Sequence, residues 1–171
     1  SARRAGATQA EADASLQQGL SVSVRLGEVE TVEYQRDRAL GITVYFGHRK
    51  GSASTGDLSA QSVEDMVAKA CAIARHTAED ECAGLADPAL LQTQFRDLHL
   101  DFPWELSADA AVELARECEA AGRAVDTRLS NSEGASVSSQ RGVRVYGNTH
   151  GFLAGDCGTS HSLSCVLLAQ V

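Results

Sequence analysis

The feature that most constrains this chain is a strict alternation of apolar and polar residues near both of its ends. It begins in AEADASLQ (10–17) and returns in LSVSVRLG (20–27), EVETVEY (28–34) and ALGITVYFG (39–47). A period of two is typical of a half-buried strand. We therefore expect four short strands, broken at Gln18-Gly19 and turned at Gly27, with one face that needs covering.

The alternation resumes after Arg128. It predicts strands near 128–139, 142–148, 151–157 and 160–169, and these segments are separated by glycines: Gly134, Gly142, Gly151 and Gly158. Both ends of the chain are therefore predicted to be β-structure.

The middle of the chain has helical periodicity instead. Ser59 is a plausible N-cap for a helix from about Ala60 to His76, and a second helix is predicted after Ser107. Their apolar stripes repeat every three or four residues and include Ile73 in the first helix, and Leu114 and Val125 in the second. Between them lies a connector with both prolines and a short helical turn near Pro88.

The order strands, helix, connector, helix, strands predicts an α+β fold, with a mainly antiparallel sheet and two amphipathic helices packed on one face. At 171 residues we expect a single domain spanning 1–171. The missing initiator Met and the strand-like run SCVLLAQV at the end indicate a fragment of a longer chain.

Composition excludes several classes of function. The formal net charge is −8 and the basic residues are scattered, which argues against binding to nucleic acid. No apolar run approaches the roughly 20 residues that span a bilayer, so no membrane role is expected. Five cysteines without a CxxC pair indicate reduced thiols in a cytosolic protein.

The stretch YGNTHGFLAGDCGTSHSLSCV (146–166) contains His150, Cys157 and His161. It is either a metal or nucleophile site, or a sheet with tight turns. Zinc needs three or four converging ligands, and HExxH is absent from the chain. Because His161 is in phase with the apolar residues of its predicted strand, the strand-and-turn interpretation is favoured.

A second stretch, HRKGSAST (48–55), continues a good strand with small polar residues. It is either an exposed arm protected by its charges, or an edge that accepts an extended peptide through main-chain hydrogen bonds. The candidate peptide-path or partner edge comprises two groups of residues. One is Arg49, Lys50, Gly51, Ser52 and Ser54, and the other is the glycine-flanked run YGNTHG (146–151), with Asn148 and His150.

Four segments together carry a family resemblance: GEVETVEY (27–34), ALGITVYFGHRKGSAST (39–55), CAGLADPALL (82–91) and the 146–166 stretch. In order and over nearly the whole chain, they resemble the N-terminal part of the PmbA (TldE) branch of the TldD/PmbA family.

The resemblance implies a cytoplasmic protein whose TldE-type subunit pairs with a TldD-like subunit around a cavity for short or unfolded peptides. The family is a zinc metallopeptidase linked to peptide antibiotic maturation and antitoxin turnover, and was formerly called a modulator of DNA gyrase. Its HExxxH zinc helix belongs to TldD. Because nothing here matches that helix, the resemblance implies no catalytic residue, metal ligand or cofactor in this chain, with zinc only in the partner.

The leading hypothesis is thus a scaffold and cavity-wall domain that is inactive alone. The alternative is a non-catalytic interaction module that binds a protein partner through an exposed sheet edge.

Overall fold

The structure, a computed structural model, describes residues 2–170. Seven main elements follow in chain order: β1 (Gln9–Arg25), β2 (Glu28–Phe46), β3 (Arg49–Thr55), α1 (Ala60–His76), α2 (Ala108–Arg123), β4 (Asn131–Asn148) and β5 (Leu153–Leu168). Short 3-10 turns occupy Arg3–Ala5 and Pro88–Leu90. The strands form a five-stranded sheet in the order β3-β2-β1-β4-β5, so the predicted α+β fold is confirmed.

The predicted short strands are in fact long strands. Gln18 and Gly19 lie inside β1, and the predicted breaks at Gly142 and Gly158 lie inside β4 and β5. A Cβ at Gly19 would stand 2.6 Å from the carbonyl oxygen of Ser139. The glycine is therefore needed where a neighbouring backbone comes close, and it does not mark a turn.

The contacts of the chain fall into two compact units. The first unit comprises residues up to 16, 37–98 and 143–156, and the second comprises 17–36, 99–142 and 157 onward. Each has its own apolar cluster. This division does not test the expectation of a single domain, which stays a prediction.

In the first unit, α1 covers strands β2 and β3. Its cap is as predicted, because the Ser59 hydroxyl accepts a hydrogen bond from the Ser62 amide at 3.3 Å. The buried side of the helix consists of Met66, Val67, Ala70, Cys71 and Ala74. The prediction for Ile73 is wrong, since its side chain is 48 % exposed. The helix meets the sheet through its small residues, which leaves Ile73 beside the contact.

In the second unit, α2 covers strands β1 and β4. Ser107 caps it, as predicted, by accepting from the Ala110 amide at 3.2 Å. Its buried residues are Ala111, Val112, Ala115 and Glu119, and Leu114 packs partly against the same cluster. The prediction for Val125 is wrong, because the helix ends at Arg123 and Val125 is exposed.

None of the helices in the described part of the chain is long and apolar enough to cross a membrane.

Candidate functional site

Strand β3 lies at one end of the sheet and pairs only with β2. The pairing is antiparallel and runs from Phe46 opposite Arg49 to Leu40 opposite Thr55. An edge strand presents alternate backbone N–H and C=O groups that no sheet neighbour satisfies. The site therefore depends on which residues of β3 direct those groups outward.

One hydrogen bond of Tyr45 settles that direction. The Thr8 amide, just before β1, donates to the Tyr45 carbonyl at 2.8 Å, so the main-chain groups of Tyr45 point away from β3. Tyr45 is paired with Lys50. In an antiparallel ladder, both members of such a pair turn their N–H and C=O groups away from each other. Lys50 and, by alternation, Ser52 and Ser54 thus direct their backbone groups outward.

Side-chain contacts support the same assignment of the residues with outward backbone groups. Facing residues in a pair without backbone hydrogen bonds lie closer together. Thr43 and Ser52 form such a pair, and their hydroxyl oxygens are 2.8 Å apart. Both Ser52 and Ser54 are exposed, so the edge at these positions has outward backbone groups and small polar side chains.

Two predicted site residues on β3 have other contacts. Gly51 is buried beneath α1, where a Cβ would lie 2.3 Å from the Ala70 carbonyl oxygen. Its role is helix packing. Arg49 forms an exposed ion pair with Glu79 at 3.3 Å, a kind of contact that contributes little to stability.

The run 146–151 does not provide a second open edge. Strand β4 lies between β1 and β5. At its end, the Thr149 amide donates to Ala10 and the Asn148 amide donates to Phe152, both at 2.9 Å. Because both sides of this segment already have partners, its place on a peptide path or at a partner interface stays a prediction that no open backbone edge supports.

Asn148 and His150 hold the turn that follows β4. The side-chain oxygen of Asn148 accepts from the amides of His150 and Phe152, at 3.0 and 3.3 Å. The Nδ1 of His150 lies 3.1 Å from the Ala86 carbonyl, which can only accept, so Nδ1 carries the proton. Its Nε2 then accepts from the side-chain amide of Gln9 at 3.3 Å. These polar groups are engaged within the protein.

The structure does not bring the three singled-out metal-ligating residues together as a site. His150 belongs to the first unit, whereas Cys157 and His161 belong to the second. Both ring nitrogens of His161 are within hydrogen-bonding distance of Ser139 and the Phe102 carbonyl, each at 3.0 Å. Within residues 2–170 there is no group of three His, Cys, Asp or Glu side chains that could hold a metal ion. The residues present therefore do not fit a zinc centre.

Sequence reasoning missed a polar cluster on the opposite face of β2. Glu11 accepts hydrogen bonds from the hydroxyls of Tyr45 and Tyr146, at 2.7 and 2.6 Å. Burial, followed by the hydrogen bond to Glu11, raises the pKa of both tyrosines. The alternation in the sequence could have indicated this cluster. Tyr45 follows the inward-facing Val44 directly, so its side chain lies on the opposite face of β2. Since Tyr45 is paired with Lys50, the cluster lies on the strand next to β3.

Comparisons with known proteins identify the family of this fold. Residues 10–74 match PmbA/TldA metallopeptidase domain 1, and residues 101–171 match the PmbA/TldA metallopeptidase central domain. The chain belongs to the PmbA/TldD family. The β3 edge and all but the last two residues of α1 lie within the match to domain 1, and α2, β4 and β5 lie within the match to the central domain.

Two curated PmbA relatives have high sequence identity. The Metalloprotease PmbA of Escherichia coli O157:H7 is 51 % identical over 161 residues, which is 94 % of this chain and 36 % of the relative. The Metalloprotease PmbA homolog of Haemophilus influenzae is 46 % identical over 170 residues, which is 99 % of this chain and 38 % of the relative. The chain thus spans little more than a third of these PmbA proteins.

Solved structures share the PmbA/TldD fold at lower identity. TldE from Thermococcus kodakarensis superposes with a TM-score of 0.80 at 17 % identity, over 99 % of this chain and 38 % of that one. A candidate modulator of DNA gyrase from Bacteroides thetaiotaomicron has a TM-score of 0.87 at 21 % identity, over 99 % of this chain and 39 % of that one. At these identities the likenesses show the shared fold alone.

Proposed function

We propose that this chain is the N-terminal scaffold and cavity-wall region of a PmbA (TldE)-type subunit. It holds short or unfolded peptides while a TldD-like partner cleaves them at its zinc. The setting is cytoplasmic, in peptide antibiotic maturation and antitoxin turnover. In this proposal the zinc-dependent cleavage belongs to the partner, and residues 2–170 provide no group of three His, Cys, Asp or Glu side chains that could hold a metal ion.

The observation that carries this proposal is the β3 edge. An extended peptide of any sequence offers the same alternating N–H and C=O groups, and an unpaired strand can bind them without selecting side chains. The outward backbone groups of Lys50, Ser52 and Ser54 supply such an edge. The exposed serine side chains leave room for varied peptide side chains.

A proline at position 54 tests the edge. Proline lacks the outward N–H but is tolerated on an edge strand, so Ser54→Pro keeps the pairing with β2. The matched control is Ser54→Ala, which removes the hydroxyl and retains the N–H. In the full-length subunit assembled with its TldD-like partner, we expect Ser54→Pro to lower the rate of cleavage of an unfolded peptide severalfold. Ser54→Ala should cleave at the wild-type rate.

The same variants distinguish the alternative function. If β3 binds the partner subunit, Ser54→Pro weakens co-purification of the two subunits. If β3 binds peptide, assembly is intact and KM for the peptide rises. Wild-type assembly together with wild-type cleavage would show that β3 is a solvated edge without either role.

A further inference from the structure

A cleft of about 440 Å³ opens in the second unit, and its lining includes no residue of β3. Strand residues such as Gln18, Arg36 and Gln140 form part of its lining, and connector residues such as Trp104 form another part. The volume is in the range of small-molecule pockets.

The connector side of the cleft is held firmly against the sheet. The Thr159 amide donates to the Leu100 carbonyl at 2.9 Å, and the Phe102 amide donates to the Thr159 hydroxyl at 3.0 Å. Arg141 forms a two-pronged ion pair with Asp101, at 2.8 and 2.5 Å. Because these contacts already order the segment, a ligand would bind it with little further loss of conformational entropy.

An aromatic surface follows this anchored segment. The ring of Trp104 meets the ring of His161 edge-on, with centroids 5.5 Å apart and an interplanar angle of 88°. His161 is itself fixed, since its Nε2 donates to the Phe102 carbonyl and its Nδ1 accepts from the Ser139 hydroxyl. Trp104 is 43 % exposed, so it offers an apolar face to a bound group.

The charge of the cleft is opposite to that of the protein. The chain has a net charge of −8, yet no Asp or Glu lines the cleft. Two arginines do line it. Arg141 is neutralised by Asp101, whereas Arg36 forms no ion pair with any residue in the described range 2–170. A guanidinium without a carboxylate partner is a preferred group for binding one.

We infer that this cleft binds a carboxylate carried beside an apolar or aromatic group, as at the C-terminus of a peptide or at an acidic side chain. Arg36 binds the carboxylate, Trp104 packs against the apolar group, and the side-chain amides of Gln18 and Gln140 hydrogen-bond the adjoining peptide groups. The inference takes the peptide as carrier from the proposed function, but it concerns a different surface from β3.

Trp104 also provides the measurement, because it is the only tryptophan among these 171 residues. In the full-length subunit, the fluorescence change that Trp104→Phe removes is assigned to the cleft. Binding is followed by its fluorescence, with excitation that avoids the other aromatic residues. The probes are N-acetyl-Gly-Leu-Phe with a free carboxylate, the same peptide as a C-terminal amide, and N-acetyl-Gly-Glu-Phe-amide. The first and third probes separate the two sources of a carboxylate.

The variants are Arg36→Gln and a control, Arg96→Gln, which makes the same charge change at an exposed residue outside the cleft. We expect at least one carboxylate probe to bind wild-type protein about 10-fold more tightly than the amide of N-acetyl-Gly-Leu-Phe. Arg36→Gln should remove that preference, and Arg96→Gln should retain it. Circular dichroism confirms that both variants are folded.

Two results would overturn the inference. One is equal binding of the acids and the amide, which includes the case of no binding at all. The other is a preference for acids that survives Arg36→Gln. Failure of the proposed function is separate, because Ser54→Pro reports on cleavage and assembly while Trp104 fluorescence reports on the cleft.

Discussion

Replacing Glu119 is expected to destabilise the protein far more than replacing an exposed glutamate of the same helix, α2. Glu119 is only 2 % exposed, and its two carboxylate oxygens accept from the amides of Leu26 and Gly27, at 2.9 and 2.8 Å. These two residues form the turn between β1 and β2, and both have positive φ, 50° and 81°. Because a leucine in this region is strained, the carboxylate stabilises a turn that is otherwise unfavourable.

The magnitude follows from the two hydrogen bonds that the backbone amides of Leu26 and Gly27 donate to Glu119. A hydrogen bond to a charged group contributes about 1.5–3 kcal/mol, and a neutral one about 0.5–1.5 kcal/mol. Glu119→Gln retains one neutral bond and turns an NH₂ group toward the other amide. The net loss in the free energy of unfolding should be about 2–4 kcal/mol, a large share of the roughly 5–15 kcal/mol typical of a domain.

Urea denaturation at pH 7, followed by circular dichroism, measures this loss. The matched control is Glu117→Gln, two residues earlier on the exposed side of the same helix. It should change the free energy of unfolding by less than about 0.5 kcal/mol. A Glu119→Gln variant as stable as the control would refute the assigned role of the carboxylate.

The effect should also depend on pH. Burial acts to raise the pKa of Glu119, but hydrogen bonds from Ser132, Leu26 and Gly27, with the charge of Arg123, outweigh it and lower the pKa below its ordinary value. A lowered pKa in the folded state gives stability that is fully present above the unfolded pKa, about 4.3, and is lost as pH falls through the folded pKa. The difference in the free energy of unfolding between wild type and Glu119→Gln should therefore be constant near neutral pH and decrease below about pH 4.

Two further predictions concern α1 and the sheet beneath it. Gly51→Ala should lower the free energy of unfolding, measured by urea denaturation, by about 2–3 kcal/mol, because its Cβ would overlap backbone atoms of Ala70 and Ala74. Ser54→Ala is the control and should leave the free energy of unfolding unchanged. Val67→Ala should cost about 2 kcal/mol and Ile73→Ala less than about 1 kcal/mol, since Val67 is buried and Ile73 is half exposed. The reverse order for the last pair would mean that the buried face of α1 is wrongly assigned.

Local patterns in the sequence were sufficient for the type and position of most elements. The period of two identified the β-structure at both ends, and Ser59 and Ser107 marked the starts of both helices. These signals work because strand alternation and helix capping depend on residues a few positions apart. The family resemblance likewise rested on segments that can be read in order along the chain.

The structural roles of individual residues were decided only by the tertiary structure. The sequence predicts a strand break at Gly19 and an exposed edge at Gly51, yet each glycine is required where backbone from a distant segment comes close. The chain alone cannot show that Glu119 meets the turn at Gly27, since 92 positions separate them. The sheet order likewise placed β3 at an edge and enclosed Asn148 between neighbours. Which strands pair, and what each face meets, depends on contacts between distant residues, and these are not encoded in any local period.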